Sequence, residues 1–356
     1  MVNVLGLDIG GANIKAAFLE TKNAKLIEHK ELIEYFPIWK KNKNQLQNLL
    51  YRINKNLSKS ILLDGVGITI TAELSDAFKT KKEGIKHILE TIIEVFTNVP
   101  KFIVDVEATL LSVEDALQKP YRVASANWAA TGWMISKLIK NCITIDVGST
   151  TTSIIPIVNG KVYAKGKTDL EKLQNGELVY SGSIRTNVAT INNWIPVNGI
   201  NTRVSSEFFA QSGDVHIILE NIIKEDYITE TPDNRGKTKI ESMARLARVV
   251  CADIEMLTEQ EITEMAKFVY DKQVDQIAEG LEQVCNRVRT LTQNKLKIVV
   301  TGLGRKFLAK KAAEKIGFRN IIDMDEYLGD KSAIGSTSVA VGLMVASNLE
   351  KQDIKW

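Results

Sequence analysis

The sequence predicts an α/β protein of two similar halves, each with a mixed β-sheet, that close on a central cleft. One motif occurs twice, at residues 4–15 and again at residues 143–153. Each copy has a short apolar run, an aspartate with a glycine within two residues, small polar residues and a second apolar run. Strands and helices follow each copy in a similar order. A motif that opens two similar halves at domain-length separation indicates a duplicated fold.

The first half is predicted to contain five strands and four helices. Apolar runs around the motif and farther along predict strands at 2–9, 14–19, 25–34, 65–71 and 102–105. Helical spacing of apolar residues, as at Leu46, Leu50 and Ile53, and the alternation with strands predict helices at 43–59, 84–96, 109–118 and 127–140. No strand-to-helix G-x-G-x-x-G sequence is present, so a dinucleotide-binding fold is not indicated.

The second half repeats this opening, with strands predicted at 142–147, 152–157 and 161–166. Residues from about 181 to 235 are predicted to form an insertion over the cleft, because long irregular connections often carry function. The remaining elements are a buried strand at 296–300 and helices at 240–256, 259–292, 305–316 and 336–348. This order matches the strands and helices of the first half well enough to support duplication.

The length of the chain indicates two domains. At 356 residues it exceeds a typical single domain, and we expect domains at 1–140 and 141–356. Whether the last helix returns to the first domain is left open. Hydrophobic residues make up 44% and charged residues 25% of the chain, as in ordinary globular proteins.

Charge and cysteine content argue against several classes of function. A net charge of +3 and an aromatic content of 6% favour neither a nucleic acid nor a membrane as partner. The three cysteines form no CxxC or Cys/His cluster, which argues against structural zinc and fits a reducing cytoplasm. No apolar run approaches the ~18 residues of a transmembrane helix. We therefore expect a cytoplasmic protein that acts on small molecules, with homo-oligomerisation left open.

The two motif loops are expected to bind phosphate groups. Glycines let backbone N–H groups approach phosphate oxygens closely, and neighbouring hydroxyls add donors. The candidate donors are Gly10, Gly11, Gly148, Ser149 and Thr150, for which ordinary hairpin-turn chemistry is the alternative. Asn13 is a further candidate for phosphate contact, whereas Lys15 either neutralises phosphate charge or points to solvent.

Asp8 and Asp146 occupy equivalent positions at the ends of the strands that enter the loops. A carboxylate at such a position can hold a hydrated Mg²⁺ beside phosphate oxygens. We therefore predict both as catalytic residues and as Mg²⁺ ligands through water. The alternative is that each aspartate only caps its own turn.

The loops resemble those of the actin-like ATPase superfamily, which includes sugar kinases, Hsp70, actin and the hydantoinase/oxoprolinase branch. Residues 8–15 resemble its phosphate-1 loop, residues 146–152 its phosphate-2 loop, and residues 299–304 its strand and glycine turn beside the nucleotide. The resemblance implies a duplicated actin-like ATPase (ribonuclease H-like) fold, with two domains and mixed β-sheets flanking a central cleft. It also implies binding roles for Gly302 and Gly304.

Five shorter motifs are similar to an archaeal group within the hydantoinase-like branch, the tetrahydromethanopterin-linked C1-transfer protein group. They lie at 125–128, 181–186, 207–210, 213–215 and 242–248. The resemblance to methanogen members implies a condensing step of methanofuran biosynthesis. In that step γ-glutamyltyramine and the diphosphate ester of 5-(aminomethyl)-3-furanmethanol, a furfuryl diphosphate, form an aryl ether and release diphosphate. The step implied does not require ATP.

The phenol of such an acceptor needs a general base or a very electrophilic partner. The candidate bases are Glu207, Asp214 and His216 in the predicted insertion, with Asp105 and Glu107 after a strand of the first half as rivals. Each has a structural role as its alternative. The sequence does not decide among them, but Glu207 and Asp214 are the two that we take as predicted catalytic residues.

Three further side chains are candidates for substrate contact. Asn127 and Trp128 lead into a predicted helix, where Asn127 is a candidate binding residue and Trp128 either stacks on a flat ring or lies in the core. Arg185 either binds phosphate or the glutamyl carboxylate of the acceptor, or forms an ion pair between the halves.

Two other functions stay open at this point. Most relatives in the superfamily use ATP, so the chain is alternatively an ATP-dependent small-molecule kinase or hydrolase with an adenine pocket near 302–304. Some actin-like proteins are regulators, so a nucleotide-binding regulator is the second alternative. The first predicts nucleotide turnover, and the second predicts ATP binding without a small-molecule product.

Overall fold

The first β-sheet carries the first motif loop between two antiparallel strands. The computed structural model describes residues 1–59, 61–291, 296–328 and 336–356. The strands are β1 (Val2–Gly10), β2 (Asn13–Lys22), β3 (Lys25–Tyr35), β4 (Gly65–Thr71), β5 (Lys101–Val104) and β6 (Leu110–Leu111). They lie in the order β3-β2-β1-β4-β5-β6, and β1 runs antiparallel to β2 but parallel to β4. The sheet is therefore mixed.

The second β-sheet carries the second motif loop. Its strands and a separate hairpin are, in chain order, β7 (Cys142–Val147), β8 (Thr152–Val158), β9 (Lys161–Val162), β10 (Leu178–Val179), the hairpin β11 (Trp194–Val197) and β12 (Ile200–Arg203), β13 (Lys297–Thr301) and β14 (Ile321–Asp323). The main sheet has the order β10-β8-β7-β13-β14, and β9 also pairs with β8.

The two sheets repeat one arrangement around their loops. Strands β1 and β2 pair Asp8 with Lys15, and β7 and β8 pair Asp146 with Ser153. The strand that ends near the aspartate also pairs in parallel with a later strand, β4 in the first sheet and β13 in the second. The two similar halves with mixed sheets confirm the predicted α/β architecture.

Helices connect and cover the strands. Their bounds are α1 (Lys43–Ser58), α2 (Lys81–Val95), α3 (Val113–Gln118), α4 (Pro120–Val123), α5 (Asn127–Leu138), α6 (Asp169–Gln174), α7 (Val188–Ile191), α8 (Ser212–Ile218), α9 (Lys239–Arg248), α10 (Glu259–Val288), α11 (Lys310–Lys315), α12 (Asp325–Leu328) and α13 (Ser336–Glu350). Helices α1, α6, α9 and α10 begin with reciprocal capping boxes, which satisfy backbone N–H groups at their first turns. No helix in the described ranges is long and apolar enough to cross a membrane.

One predicted helix of the second half is shorter than expected. The helix predicted at 240–256 ends at Arg248, and the chain turns away at Cys251, whose φ of 59° is left-handed and cannot continue a right-handed helix. The helix predicted at 259–292 corresponds to α10 and a short 3₁₀ turn, and its predicted last residue lies outside the described residues.

One predicted strand is also shorter. The strand predicted at 161–166 is only the two-residue β9. The backbone N–H groups of Lys165 and Gly166 donate to the side chain of Glu177 at 2.8 and 2.9 Å instead of to a neighbouring strand. Because the Glu177 side chain accepts these hydrogen bonds, the two N–H groups do not pair with a neighbouring strand, and the strand ends early.

The last helix, α13, packs against the first sheet. It contacts β1, β2 and β4 as well as α5, and its residues from Ser336 to Ala346 are buried. Close packing is possible because α13 has a glycine, Gly342, where it contacts the sheet. A Cβ on Gly342 would lie 2.5 Å from a methyl carbon of Leu19 in β2. The assignment of 1–140 and 141–356 to separate domains remains a prediction, and the final helix sits against strands of the first of them.

Substituting Gly6 is expected to destabilise the fold. A Cβ at Gly6 of β1 would lie 2.1 Å from the backbone oxygen of Ser338 and 2.7 Å from the backbone nitrogen of Gly342 in α13. We expect Gly6→Ala to lower the free energy of unfolding by roughly 1–3 kcal/mol, because backbone atoms must move apart. Denaturant unfolding measures this change. Gly11→Ala is the matched control, since its Cβ would meet no atom within 4 Å, and equal losses in both variants would contradict the packing argument.

Candidate functional site

A cleft of about 350 Å³ lies between the two motif loops. Both loops, the start of α5 and the segment after β10 contribute to its wall. Ten of the predicted site residues line it: Asp8, Gly10, Gly11, Asn13, Lys15, Asn127, Gly148, Ser149, Thr150 and Arg185. The structure therefore brings together the residues that the sequence placed in two distant loops.

The two loops contact each other directly. The side-chain amide of Asn13 donates to the Ser149 hydroxyl at 3.2 Å. The second loop closes as a hairpin turn, in which the Gly148 N–H donates to the Thr151 carbonyl at 2.9 Å. In the first loop, a Cβ on Gly10 would lie 2.7 Å from the backbone oxygen of Asn13, so this turn requires glycine.

The segment that follows β10 supports the second loop from behind. The backbone N–H of Ser183 donates to the Gly148 carbonyl at 2.9 Å, and that of Arg185 donates to the Ser149 carbonyl at 2.9 Å. A Cβ on Gly182 would lie 2.5 Å from the carbonyl carbon of Thr150. This glycine therefore lets the start of the predicted insertion approach the loop, and the following Arg185 reaches the cleft.

Asp8 and Asp146 place two carboxylates near one lysine. Burial raises the pKa of Asp8. The charge of Lys15 lowers this pKa in part, and the charge of Asp146 raises it further. Burial also raises the pKa of Asp146, again against Lys15. The Lys15 Nζ atom lies 3.8 Å from Asp8 Oδ2. Two carboxylates and one ammonium leave excess negative charge in a poorly solvated place, which a cation would relieve.

The residues present fit a hydrated magnesium ion. Asp8 Oδ1 is buried and has no hydrogen-bond partner among the described residues. The same residues contain no group of three or more His, Cys, Asp or Glu side chains that could hold a metal ion. Mg²⁺ usually keeps several waters and is bound through one or two carboxylates together with substrate phosphates. Asp8 and Asp146 could hold such an ion.

Gly302 and Gly304 lie behind the second loop and outside the lining of the cleft. A Cβ on Gly302, whose φ is +85°, would lie 2.6 Å from Asp146 Oδ1 and 2.4 Å from the Val147 carbonyl oxygen. The Gly304 N–H donates to that carbonyl at 3.0 Å. Both glycines thus let β13 and its turn pack against the end of β7, and their contact with substrate stays a prediction.

Asp214, predicted as a catalytic base, lies in a buried ion pair away from the cleft lining. Its Oδ1 accepts from Arg245 Nε at 2.8 Å and from the Tyr227 hydroxyl at 3.3 Å, and its Oδ2 accepts from the Gln211 N–H at 3.0 Å. Burial raises the pKa of Asp214, and the hydrogen bond from Arg245 opposes this. The contacts from Gln211 before α8 and from Arg245 on α9 let this carboxylate join the two helices, and its catalytic role stays a prediction.

The other predicted bases also lie outside the cleft lining. Glu207, the second predicted catalytic carboxylate, is exposed in the loop before α8. His216 is fully buried, its Nε2 lies 3.0 Å from Gln273 Oε1, and burial lowers its pKa to about 4. Asp105 is buried and pairs with Arg122. None of these side chains is positioned to meet a substrate between the loops.

Arg185 is a partly buried cation on an aromatic face. Its guanidinium lies 4.8 Å from the ring centre of Trp39, and its Nη1 donates to the Thr150 hydroxyl at 3.2 Å. Burial lowers its pKa, and the nearest opposing influences come from Tyr35 and Tyr180. It forms no ion pair with an acidic side chain in the described ranges, so the predicted ion pair between the halves is not present there.

A polar network beside the cleft was not indicated by the sequence. The Ser125 hydroxyl oxygen lies 2.6 Å from Glu73 Oε1 and 2.7 Å from Asp169 Oδ2, and Lys81 Nζ donates to the same Asp169 oxygen at 2.6 Å. A hydroxyl has one hydrogen, so one of its two carboxyl contacts requires a protonated carboxyl group. Burial raises the pKa of Glu73, which favours it as that group.

Comparisons with known proteins identify the family of this chain. The hydantoinase/oxoprolinase family matches residues 64–346. A Methanocaldococcus jannaschii protein named (4-{4-[2-(gamma-L-glutamylamino)ethyl]phenoxymethyl}furan-2-yl)methanamine synthase is 39% identical over 351 residues, which cover 98% of this chain and 99% of that protein. A Methanococcus vannielii protein of the same name is 38% identical over 212 residues, 59% of this chain and 93% of that protein.

A solved structure supports the fold. The nucleotide-free structure of acetone carboxylase, from work on ATP-dependent acetone carboxylation, matches with a TM-score of 0.58 at 9% identity. The match covers 96% of this chain and 70% of that chain. At this identity the likeness concerns the fold alone, and it confirms the predicted duplicated actin-like ATPase (ribonuclease H-like) fold.

Removing the partner of Asp214 is expected to destabilise the protein. In Arg245→Met the buried carboxylate loses its only described cationic partner, which typically costs about 3–5 kcal/mol. Urea unfolding measures the loss. Arg248→Met is the matched control on the same helix, because Arg248 is about one-third exposed and, among the described residues, pairs with Asp233 alone, so roughly 1 kcal/mol or less is expected. Comparable losses would show that the Asp214 pair has no special structural role.

Proposed function

Because the chain belongs to the hydantoinase/oxoprolinase family, we propose that it is a transferase of methanofuran biosynthesis. It condenses γ-glutamyltyramine with 5-(aminomethyl)-3-furanmethanol diphosphate, forming an aryl ether and releasing diphosphate. Similarity to the Methanocaldococcus jannaschii synthase along nearly the whole chain supports this assignment. The product that names that synthase contains a phenoxymethyl link between a tyramine ring and a furan ring.

The observation that carries the proposal is the meeting of the two loops across one cleft. Their glycine N–H groups and hydroxyls surround a space that also receives Lys15 and the carboxylate of Asp8. Such a set of donors and charges suits a diphosphate, whose oxygens accept hydrogen bonds and carry negative charge.

The chemistry needs stabilisation of the leaving group above all. As the CH₂–O bond to the diphosphate breaks, the furan ring stabilises positive charge on the CH₂ carbon, and the phenol oxygen forms the new bond there. Gly11, Ser149 and Thr150 are placed to donate to the diphosphate, and Lys15 to neutralise part of its charge. A Mg²⁺ held by Asp8 and Asp146 would add positive charge next to the departing oxygens.

Arg185 is better suited to bind the acceptor, γ-glutamyltyramine, than the diphosphate substrate. It is a cation without an acidic partner in the described ranges, and it lies against Trp39 and near Tyr180 at the aromatic side of the cleft. γ-Glutamyltyramine carries both a carboxylate and an aromatic ring, so it offers a partner for each feature. We propose that Arg185 binds the α-carboxylate of the glutamyl group.

Ether formation should require the two substrates and Mg²⁺ but not ATP. Purified protein incubated with both substrates and Mg²⁺ is expected to give the ether by mass spectrometry and one diphosphate per ether by a phosphate assay. Chelation of Mg²⁺ with EDTA should reduce the rate at least tenfold, because the charge of the leaving diphosphate is then less well neutralised.

The same assay separates the alternatives. No ether in any condition, together with ATP hydrolysis or a phosphorylated acceptor, would replace the synthase assignment by a kinase or hydrolase. ATP binding without any product would favour a regulator. Ether formation that is unaffected by EDTA would retain the synthase assignment and contradict the role given to Mg²⁺.

The role of Arg185 can be tested with an acceptor that lacks only the carboxylate. For the wild-type enzyme, kcat/KM with 4-aminobutyryltyramine should be about 10- to 100-fold below that with γ-glutamyltyramine, as expected for a lost charged hydrogen bond. In Arg185→Met, steady-state kinetics should give similar kcat/KM for both acceptors and an unchanged KM for the diphosphate substrate.

The exposed Arg203, on β12, provides the matched control. Arg203→Met should keep the full discrimination between the two acceptors. If Arg185→Met also keeps it and instead raises the KM for the diphosphate substrate, Arg185 binds phosphate and the acceptor assignment is wrong.

A further inference from the structure

Lys172, on α6, is a buried lysine in the wall of the cleft. Only 1% of its surface is exposed, yet it belongs to the residues that line the space between the loops. Its Nζ atom is buried and has no hydrogen-bond partner among the described residues. A lysine ammonium has three N–H donors, and burying it without acceptors is costly. Its position therefore needs an explanation beyond packing.

The nearest carboxylate does not need this lysine. Glu177 already pairs with Arg287 and accepts the backbone N–H groups of Lys165 and Gly166 at 2.8 and 2.9 Å. Lys172 Nζ lies 4.0 Å from Glu177 Oε2, which is longer than a hydrogen bond. The carboxylate is thus satisfied by other groups, and the amine remains available for a ligand.

An aromatic ring lies directly against the amine. Lys172 Nζ is 3.8 Å from the ring centre of Trp128, which also lines the cleft. Burial lowers the pKa of Lys172 to about 8, with Glu177 and Asp169 opposing the shift and Lys167 and Arg287 adding to it. Near neutral pH a useful fraction of such an amine is uncharged, as a general base requires.

We propose that Lys172 is the general base that accepts the proton of the acceptor phenol, with Trp128 as the aromatic wall beside it. This inference rests on the proposed function and identifies a residue for the step that the predicted carboxylates do not serve. The phenol O–H gives its proton to Nζ, and the phenol oxygen bonds to the furfuryl CH₂. The CH₂–O bond breaks, and its electron pair leaves with the diphosphate. The ammonium then releases the proton to solvent.

The wild-type enzyme provides the first test, through the pH dependence of kcat/KM. A base must be unprotonated, so the rate should fall about tenfold per pH unit below the pKa of Lys172 and level off above about 8. The acid limb should be the same with γ-glutamyltyramine and with its ring-fluorinated analogue, whose phenol is more acidic. If the acid limb instead shifts with the phenol pKa of each acceptor, which is near 10 for the unmodified ring, the proposal is wrong.

The Lys172→Met variant provides the second test. We expect kcat to fall about 10²- to 10⁴-fold and the acid limb near pH 8 to disappear. With the fluorinated acceptor, the kcat of this variant should be at least tenfold higher, because the more acidic phenol ionises without a general base. Full activity in a folded variant, or a loss that the fluorinated acceptor does not reduce, would assign Lys172 to packing alone.

Lys165→Met is the matched control, since Lys165 is an exposed lysine of the same region. It should keep wild-type kinetics with both acceptors. Thermal unfolding of each variant separates loss of fold from loss of chemistry, and if Lys172→Met does not fold, the wild-type pH profiles decide. Absence of ether formation by the wild type would instead refute the proposed function itself, so the two failures are distinguishable.

Discussion

The structure depends on holding two carboxylates of like charge near each other in a poorly solvated place at the ends of two paired strands. Asp8 and Asp146 each sit near the end of a strand, and pairing of those strands with their neighbours fixes where the carboxylates lie. Their mutual repulsion and burial oppose ionisation, and Lys15 offsets this only in part. A divalent cation held between them would favour the ionised forms of both carboxylates.

Two glycines of the second half help to hold the second loop and Asp146 in place. Gly182 and Gly302 both lie where any side chain would collide with the second loop or with Asp146. The absence of a Cβ at these two positions lets the segment after β10 and the turn after β13 approach the loop from different directions. The loop is thereby fixed before a substrate arrives, which lowers the entropic cost of binding.

The two glycine turns were predictable from sequence because their conformation is local. A glycine turn next to a strand-end aspartate needs only neighbouring residues, so the positions of Asp8 and Asp146 at paired strands were predicted. The pairing of Asp214 and the burial of Lys172 were not predicted, because both depend on distant parts of the chain. Asp214 was predicted as a base but lies beside Arg245, and Lys172 is buried against Trp128.

What separates structural from functional charges here is whether the protein itself supplies a partner. The pairs Asp214–Arg245 and Glu177–Arg287 are complete, and their hydrogen bonds join elements of the second half. Lys172 is buried without an equivalent acceptor in the described ranges and faces the cleft. Burial of an unsatisfied polar group costs free energy that folding alone does not recover. A substrate that completes such a group gains that free energy on binding, and this makes a buried polar group without a hydrogen-bond partner a stronger indication of function than a fully bonded one.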